Sequence, residues 1–591
     1  MKTTRAPQAA RRLRQAQAAA RPPGFFLRHL PVFYLLGLFL AAFVLYAGSL
    51  GGPFLFDDFD LFEARSAMRQ KAWQQIIASP RPLLVSSFAL SHWLSGTSPF
   101  GFHLVSVLLH ALNTLILWGI ARRICASPGL AGWLAPAARN TLALFVPLLF
   151  LATPVQTESV AYISSRSELL AATFYLAALL VFLSSWRERH RWLTAALVTI
   201  LYAGSVTSKQ HGLTLPGAIL LADYFLLAES DWRRMRKNWP VYALLLAAMT
   251  AGGFLVVGGL LRATSAGFAL AEVRWTDYLF TQFRMYFLYL SLLAVPFGLN
   301  VDYDIAPSRS LFEQGSWLAL AGILALAAGA IHFRRRFVLA SFGVLFFFLT
   351  LSPTSSFFPL LDYAAERRLY LPSAGFFLAA LALAFQWWWP RRALSLTLGG
   401  IVLLYGAGTC ARNRVWQDSL ALWQDAVEKS PNKWRGHNNL GNEYTKLARF
   451  EEAVRCFQTA ARLVRPDTKE HAEILSSLGS TFANRQMYAQ AAETYRKALK
   501  ISPDISHLWT NLAIAEIRLQ KPAGWQYFQK AMDLNYLAWE PYLARANMYS
   551  QLGRFDEAIA DYQQVLRRVP EHADAQYNLR SLMELKQRLK K

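Results

Sequence analysis

Long apolar runs dominate the sequence up to about Cys410 and do not recur after it. In the first part, stretches rich in Leu, Phe, Ala and Trp recur at about the 20 residues that a helix needs to cross the hydrocarbon core of a bilayer. From Ala411 onward charged residues are frequent. The chain is therefore predicted to combine a membrane-embedded part with a soluble C-terminal part.

The apolar runs predict about 11 membrane helices. They fall near 31–50, 103–121, 141–153, 168–185, 192–206, 212–228, 240–261, 316–332, 337–352, 372–388 and 393–410. The first run is too long for the core of a cleavable signal peptide and is predicted to be a membrane helix. A further apolar segment, 277–297, is predicted to lie in the membrane plane or to re-enter it, because Arg274, Asp277 and Arg284 suit an interfacial position.

The distribution of basic residues predicts the orientation. The formal net charge is +24, and the basic clusters lie in the N-terminal arm and in alternate short loops. Cytoplasmic loops collect Lys and Arg, so the N-terminus is predicted to be cytoplasmic and the C-terminal part to lie outside. The same rule explains the positive charge, and no nucleic-acid partner is expected.

A repeat of roughly 34 residues begins near Arg435. Small and aromatic residues recur at fixed offsets: Gly441, Ala453, Phe457 and Ala460; Gly479, Ala491, Tyr495 and Ala498; Ala513, Gly524, Phe528 and Ala531; Ala546, Ala558 and Tyr562. Small residues let paired helices approach and aromatic residues fill the gaps, which is the tetratricopeptide (TPR) pattern. Stacked TPR pairs form a concave groove suited to an extended peptide or a partner helix, although a spacer without a ligand is the alternative.

These features predict an all-α protein in which a polytopic membrane helical bundle is followed by a TPR α-solenoid. The predicted parts are a basic cytoplasmic arm (1–30), a transmembrane domain (31–410) with external loops 51–102 and 262–315, a connecting helix (411–434), and a TPR domain with a C-terminal capping helix (435–591).

Two adjacent carboxylates follow the first apolar run. Asp57 and Asp58 stand among Phe54, Phe56 and Phe59. Carboxylates beside apolar groups at a membrane surface are costly unless paired or hydrated, and like-charge repulsion between neighbours can raise one pKa. They are candidates for a general base, or for ligands of a divalent cation; a solvated turn or helix-capping acids are the alternative. The three cysteines form no CxxC pair and indicate neither a metal site nor a disulfide framework.

Cations accompany these acids on the predicted external side. They are Arg81, Arg166, Lys209, Arg367 and Arg368. Each alone suits an interfacial anchor, since Lys and Arg snorkel at helix ends. As a group they suit a lipid phosphate or pyrophosphate, because Arg makes bidentate contacts and Lys point-charge contacts with phosphate. The loops also hold Glu158, Glu168, Asn300, Asp302, Tyr303, Asp304, Asp362 and Glu366, which could converge on the same site.

The predicted second membrane helix contains polar residues. His103, His110 and Asn113 occur in FHLVSVLLHALNTL, and the two histidines lie two turns apart on one helix face. Hydrogen bonding between helices is favoured for them over catalysis.

An ordered set of motifs resembles a known family. FDDF, RPLLVSSFALSHW, FHLVSVLLHALNTL, TPVQTESVAYISSRSELLA, SKQHGLTLPGAIL, LNVDY and AERRLYLPSAGF occur in that order before the TPRs. The chain resembles the transmembrane-and-TPR protein O-mannosyltransferases and their bacterial relatives, of the GT-C glycosyltransferase class. It departs from them where Gln156 stands in place of a frequent His and where SKQHG replaces a KEQG-like segment.

The resemblance implies an enzyme that transfers a sugar from a polyprenyl phosphate with inversion. Matched onto this chain, it implies a catalytic role for Asp57 or Asp58 and donor-phosphate binding by Arg166, Lys209 and Arg367. Glu158, Glu366, Arg81 and His103 are supporting candidates. A divalent cation, Mg²⁺ or Mn²⁺, remains an option at the aspartates.

The resemblance leaves three functions open. The first is transfer of mannose or another hexose to Ser/Thr hydroxyls of exported proteins, with the TPR arm binding acceptor or partner. The second is modification of an envelope polysaccharide or lipid. The third is a non-enzymatic membrane scaffold. For each, the expected place is a bacterial inner membrane with the TPR domain on the periplasmic or extracytoplasmic side.

Overall fold

The computed structural model describes residues 25–58, 79, 81–130, 136–187, 190–260, 267–268, 273–387, 391–535 and 537–589, and within these it is helical without a strand. By internal contacts the chain divides into two units. The membrane unit comprises Met1–Leu299 and Pro307–Gln417, and the repeat unit comprises Asn300–Ala306 and Asp418–Lys591. The basic arm up to residue 24, and residues 59–78 of the first external loop, lie outside the described residues.

The membrane unit is built from helices joined by short loops and 3₁₀ turns. They are α1 (Phe25–Tyr46), α2 (Pro82–Ser95), α3 (Pro99–Cys125), α4 (Pro136–Ala152), α5 (Thr157–Ala161), α6 (Arg166–Ser184), α7 (Arg191–Ser208), α8 (Leu215–Ala222), α9 (Trp232–Met235), α10 (Trp239–Leu260), α11 (Trp275–Ala294), α12 (Ser316–His332), α13 (Val338–Leu351), α14 (Pro372–Trp387) and α15 (Arg391–Trp416).

Each predicted apolar span coincides with one of these helices, and the all-helical membrane character is confirmed. Among the described residues, five helices are long and apolar enough to cross a bilayer, or six if α4 and the bent segment after it form one span. Helices α13 and α14 are shorter apolar helices. The count of about 11 crossings, the orientation and the in-plane placement of α11 therefore stay predictions. Helix α2 was not predicted, because its 14 residues fall short of a membrane span.

A break after α4 brings polar backbone and side chains into the bundle. The chain bends by 50° between Ala138–Ala152 and Pro154–Ala161. Pro154 has no N–H to continue the helix and forces an extended conformation on Thr153, whose φ and ψ are −67° and 129°. The segment that follows, up to α6, is buried almost throughout. Within a bilayer, irregular backbone is tolerated only where other parts of the protein cover it.

Helices α13 and α14 cross at a pair of glycines. A Cβ at Gly343 would lie 2.6 Å from the carbonyl oxygen of Gly375, and a Cβ at Gly375 would lie 2.7 Å from that of Gly343. No side chain fits between the two backbones. Close contact through small residues is a common way for helices to associate in lipid.

The repeat unit is a series of helix pairs. The helices are α16 (Ser419–Lys429), α17 (Trp434–Lys446), α18 (Phe450–Leu463), α19 (Lys469–Asn484), α20 (Tyr488–Ile501), α21 (Ser506–Arg518), α22 (Ala523–Leu534), α23 (Glu540–Gln551), α24 (Phe555–Arg568) and α25 (Ala573–Leu589). A Cβ at Gly441 would lie 2.9 Å from the Phe457 ring, and one at Gly479 would lie 2.6 Å from the Tyr495 ring. The predicted small-residue and aromatic pattern is thereby confirmed as the packing surface within each pair.

One loop segment encoded between α11 and α12 packs in the repeat unit. Asp302 accepts hydrogen bonds from both Nη2 and Nε of Arg435, at 2.6 and 2.9 Å. The Asn300 side chain donates to Ser430 Oγ (2.7 Å), which also accepts from the backbone N–H of Asp304 (3.0 Å). Within the repeat unit the polar atoms of these loop residues bind the start of the repeat array, and their convergence with the acidic residues of the other external loops stays a prediction.

Candidate functional site

Side chains from four of the predicted external loops contact one another in the membrane unit. The contacts between them are Asp58 with Ser164, Arg81 with Gln210, Lys209 with Glu168, and Arg367 with Glu158. Their sequence separations range from 41 to 209 residues. These contacts join segments that the sequence places far apart.

The Asp58 carboxylate is fully buried, at 0% exposure. One oxygen accepts from the backbone N–H and the hydroxyl of Ser164, at 2.8 and 2.6 Å, and the other accepts from the backbone N–H of Leu55 at 3.0 Å. These bonds fasten the 3₁₀ turn Phe56–Asp58 to the loop before α6. The backbone of Asp57 belongs to the same turn, whereas its side chain lies outside what the structure describes.

The residue before Asp57 has an unusual backbone. Phe56 has a φ of +48°, a left-handed conformation that costs a non-glycine residue on the order of 1–3 kcal/mol. The Asp58 hydrogen bonds and an edge-to-face contact between Phe56 and Tyr162, with centroids 5.4 Å apart, surround the strained position. Such strain persists where neighbouring groups enforce it, and the φ of Phe56 fixes the direction in which the chain enters Asp57.

Glu158 and Arg367 form a pair across the second and last predicted external loops. Glu158 lies on the short helix α5, is buried, and accepts from the backbone N–H of Arg367 at 2.8 Å as well as from its guanidinium. Asp362 lies 3.4 Å from the same guanidinium, which is 26% exposed. Burial lowers the pKa of Arg367, but Glu158 and Asp362 outweigh it and raise the pKa above its usual value.

A second acid holds two basic side chains. Buried Glu168 on α6 accepts from Lys209 through one oxygen, and its other oxygen lies 3.1 Å from Nδ1 of His211. Lys209 directly follows the last residue of α7, and its side chain is 18% exposed. Burial lowers the pKa of Lys209, and the attraction of Glu168 opposes this shift.

Arg81 completes a group of three coupled cations. Its guanidinium donates to Gln210 at 3.4 Å, which brings it to the loop of Lys209. Burial lowers the pKa of Arg81 and the charge of Glu168 raises it. Repulsion from Arg81 and from Arg367 reaches Lys209 and contributes to its lowered pKa. Arg81 and Arg367, each partly exposed and from a different loop, therefore both lie within electrostatic reach of Lys209.

Arg166 is not part of this group of partly exposed cations. Its guanidinium is fully buried and binds Phe102 O (2.6 Å), Ser87 O (2.9 Å), Ser91 Oγ (3.0 Å) and Ser106 Oγ (3.3 Å). All of its nitrogens have protein partners on α2 and α3, so its contacts assign it to helix packing rather than to an open phosphate site.

The remaining candidates have structural partners. Glu366 and Arg368 are buried in the 3₁₀ turn Glu366–Leu369, and Arg368 donates to the backbone oxygens of Asp362 and Tyr363. His103 Nε2 lies 3.2 Å from Gly52 O.

The interhelical hydrogen bonding predicted for His110 and Asn113 is confirmed. His110 Nδ1 lies 2.8 Å from the hydroxyl of Tyr370, and the Asn113 amide donates to the same hydroxyl at 3.1 Å. The Asn113 amide also donates to Leu169 O on α6 at 3.0 Å, and His110 Nε2 lies 3.4 Å from Leu151 O on α4.

Comparison with known proteins identifies relatives along most of the chain. Family models described as tetratricopeptide repeat match residues 438–504 and 539–572. "Protein O-mannosyl-transferase Tmtc3" of Drosophila melanogaster is 27% identical over 81% of this chain and 60% of its own length. "Protein O-mannosyl-transferase F38B6.6" of Caenorhabditis elegans is 27% identical over 73% and 62%, and "Protein O-mannosyl-transferase TMTC3" of Homo sapiens is 23% identical over 85% and 58%.

The chain is a homologue of the transmembrane-and-TPR protein O-mannosyltransferases. It spans about three fifths of the length of the curated relatives it matches. A solved structure, "Crystal structure of YrrB: a TPR protein with an unusual peptide-binding site", is similar at 23% identity over 28% of this chain and 84% of that chain, with a TM-score of 0.22.

The option of a divalent cation at Asp57 and Asp58 stays a prediction, because the side chain of Asp57 lies outside the described residues. Among them, no group of three or more His, Cys, Asp or Glu side chains is placed to hold a metal ion. Both oxygens of Asp58 already accept hydrogen bonds from the protein.

Sequence reasoning missed the partners that hold the cations. The sequence predicts that Glu168 and Asp362 could converge on the site, but it does not predict that they pair with Lys209 and Arg367, and it does not single out His211.

Proposed function

We propose that this homologue of the O-mannosyltransferases transfers a hexose, mannose by analogy, from a polyprenyl-phosphate donor to Ser/Thr hydroxyls of exported proteins, with inversion. The names of the relatives support a glycosyltransferase that acts on proteins. In this proposal the N-terminus is cytoplasmic, and the site and the TPR array lie on the extracytoplasmic side, where the array binds acceptor protein or a partner.

The group of three cations carries the proposal. Arg81, Lys209 and Arg367 come from three loops, are partly exposed, and are oriented by Gln210, Glu168 and Glu158. Cations held in place before the reaction stabilise charge that develops on a leaving phosphate without reorganising. The donor phosphate is thus proposed to bind Arg81, Lys209 and Arg367, with Arg166 holding α2 and α3 behind them.

Asp57 is the proposed general base. Its carboxylate takes the proton of the acceptor hydroxyl, the hydroxyl oxygen attacks the anomeric carbon from the face opposite the phosphate, and the carbon–oxygen bond to phosphate breaks with its electrons on the phosphate. Asp58 has both oxygens occupied and positions the turn that presents Asp57. No step in this route uses a metal ion.

Reconstitution of the full chain in liposomes tests the proposal. With polyprenyl-phosphate mannose and exported proteins as acceptors, we expect transfer by the wild-type chain and none by Asp57→Asn. Glu313→Gln is a matched control, because Glu313 is an exposed acid of the 262–315 loop. Absence of transfer by the wild-type chain, with donor and acceptor intact, contradicts the proposal.

Glycoproteomics of a deletion strain separates the rival functions. Loss of Ser/Thr glycans that returns with the wild-type chain and not with Asp57→Asn supports protein glycosylation. An altered polysaccharide or lipid with unchanged protein glycans instead indicates an envelope acceptor. A phenotype rescued equally by Asp57→Asn indicates a scaffold.

A further inference from the structure

His211 has two differently placed ring nitrogens. It lies in the 3₁₀ helix Gln210–Thr214, directly after Lys209, and is only 8% exposed. Nδ1 lies 3.1 Å from Glu168 Oε2, whereas Nε2 has no hydrogen-bond partner within the described part of the chain.

The carboxylate fixes the chemistry of the ring. An ionised Glu168 only accepts hydrogen bonds, so Nδ1 carries a proton and Nε2 is left either as a bare acceptor or as a second N–H donor. A buried polar atom without a partner is costly, and an anion bound at Nε2 removes that cost when the nitrogen is protonated. Because Lys209 shares the same carboxylate, protonation of His211 gives this trio a net charge of +1.

The surroundings of His211 contain few other charges. Glu168 and Lys209 contact it or its loop, and Arg81 reaches the loop through Gln210. Helices α8, α10 and α13 also pack against this loop and contain no acidic or basic residue. Among the described residues, the charged side chains that contact His211 or its loop are therefore Glu168, Lys209 and Arg81.

We propose that His211 is a fourth donor-phosphate ligand and the proton donor to the departing phosphate, an inference that rests on the proposed function. The imidazolium Nε2–H donates to a phosphate oxygen of the bound donor. As the anomeric carbon–oxygen bond breaks, that proton passes to the phosphate, which leaves as a monoanionic monoester, and His211 becomes neutral. The proton of the acceptor hydroxyl goes separately to Asp57, so the two transfers balance.

The test measures kcat and KM separately for the reconstituted full chain with polyprenyl-phosphate mannose. His211→Phe is expected to lose about 10- to 100-fold in kcat/KM, the contribution of one hydrogen bond to a charged group. His211→Gln keeps a neutral amide donor that can bind the phosphate but has no proton to release. It is therefore expected to keep a KM near the wild-type value and to lose kcat.

The control is His190→Gln, because His190 is exposed at the start of α7. It should retain the wild-type kcat and KM. A wild-type kcat in His211→Gln overturns the inference even if His211→Phe is inactive through misfolding. A wild-type chain that transfers no sugar contradicts the proposed function instead.

Discussion

Replacement of Asp58 by Asn separates a positioning carboxylate from a catalytic one. The amide retains one acceptor oxygen, which can serve the Ser164 N–H and hydroxyl, but it turns an NH₂ group toward the N–H of Leu55. One hydrogen bond to a charged group is worth about 1.5–3 kcal/mol, and the buried N–H left without an acceptor adds to the loss. We expect Asp58→Asn to destabilise the membrane unit by at least about 2–3 kcal/mol.

Asp58→Ala removes the hydrogen bonds to Leu55 and Ser164 and is expected to cost about 4–9 kcal/mol. The assay is thermal unfolding of the full chain in detergent, followed with a thiol-reactive dye that reaches buried Cys125 only after unfolding. At an unfolding entropy of roughly 2 cal/mol/K per residue, a loss of 2–3 kcal/mol lowers the Tm of a unit of about 400 residues by about 2–4 °C. Asp57→Asn, as the proposed base, should abolish transfer with little change in Tm.

Two results refute this reasoning. If Asp58→Asn keeps the wild-type Tm and loses transfer, Asp58 is the base and its hydrogen bonds do not carry the turn. If Asp57→Asn transfers sugar at the wild-type rate, Asp57 is not the general base, and the strained turn at Phe56 does not position the base.

Three further predictions concern packing, metal dependence and the repeat unit. Gly375→Leu should lower the Tm or prevent folding, because the new side chain collides with the backbone of Gly343. Gly399→Leu should have little effect, since a Cβ at Gly399 has no neighbour within 4 Å. Equal effects of the two substitutions contradict the close crossing of α13 and α14. Chelation with EDTA should leave the transfer rate unchanged, and a loss restored by Mn²⁺ or Mg²⁺ argues against the metal-free route. Asp302→Ala should destabilise the repeat unit by about 1–3 kcal/mol, less than the loss of a fully buried ion pair, because the partner Arg435 is 36% exposed. The control in the same thermal unfolding assay is Asp304→Ala, because Asp304 is exposed. A wild-type Tm for Asp302→Ala contradicts the pairing of Asp302 with Arg435.

Features of the fold that depend on local spacing were predictable. Apolar run length determines where a helix is stable in lipid, and every predicted span has its helix. The Gly441 and Gly479 positions face aromatic rings in the partner helix, as the repeat pattern required. Helix α2 and the bend at Pro154 were not predicted, because hydropathy averages over a window and registers neither a short apolar helix nor a missing N–H.

Features of the site that depend on pairing across the chain were not predictable. The sequence identifies Arg166, Lys209 and Arg367 equally as loop cations, but only contacts distinguish the fully bonded Arg166 from the two that stay partly exposed. Likewise, Asp57 and Asp58 are adjacent and chemically alike. The difference between them comes from Ser164, which lies 106 residues away and binds Asp58.

The docking of Asn300–Ala306 on the start of the repeat array has a consequence for how such chains can be recombined. The C-terminal unit is discontinuous in sequence, since Asn300 and its partner Ser430 are separated by 130 positions. A protein cut before Asp418 therefore leaves these loop carboxylates and amides without the groups that solvate them, and the excised array loses the acid that neutralises Arg435. When the repeat array is exchanged between relatives, the segment Asn300–Ala306 must be exchanged with it, so these two separate parts of the sequence form one module.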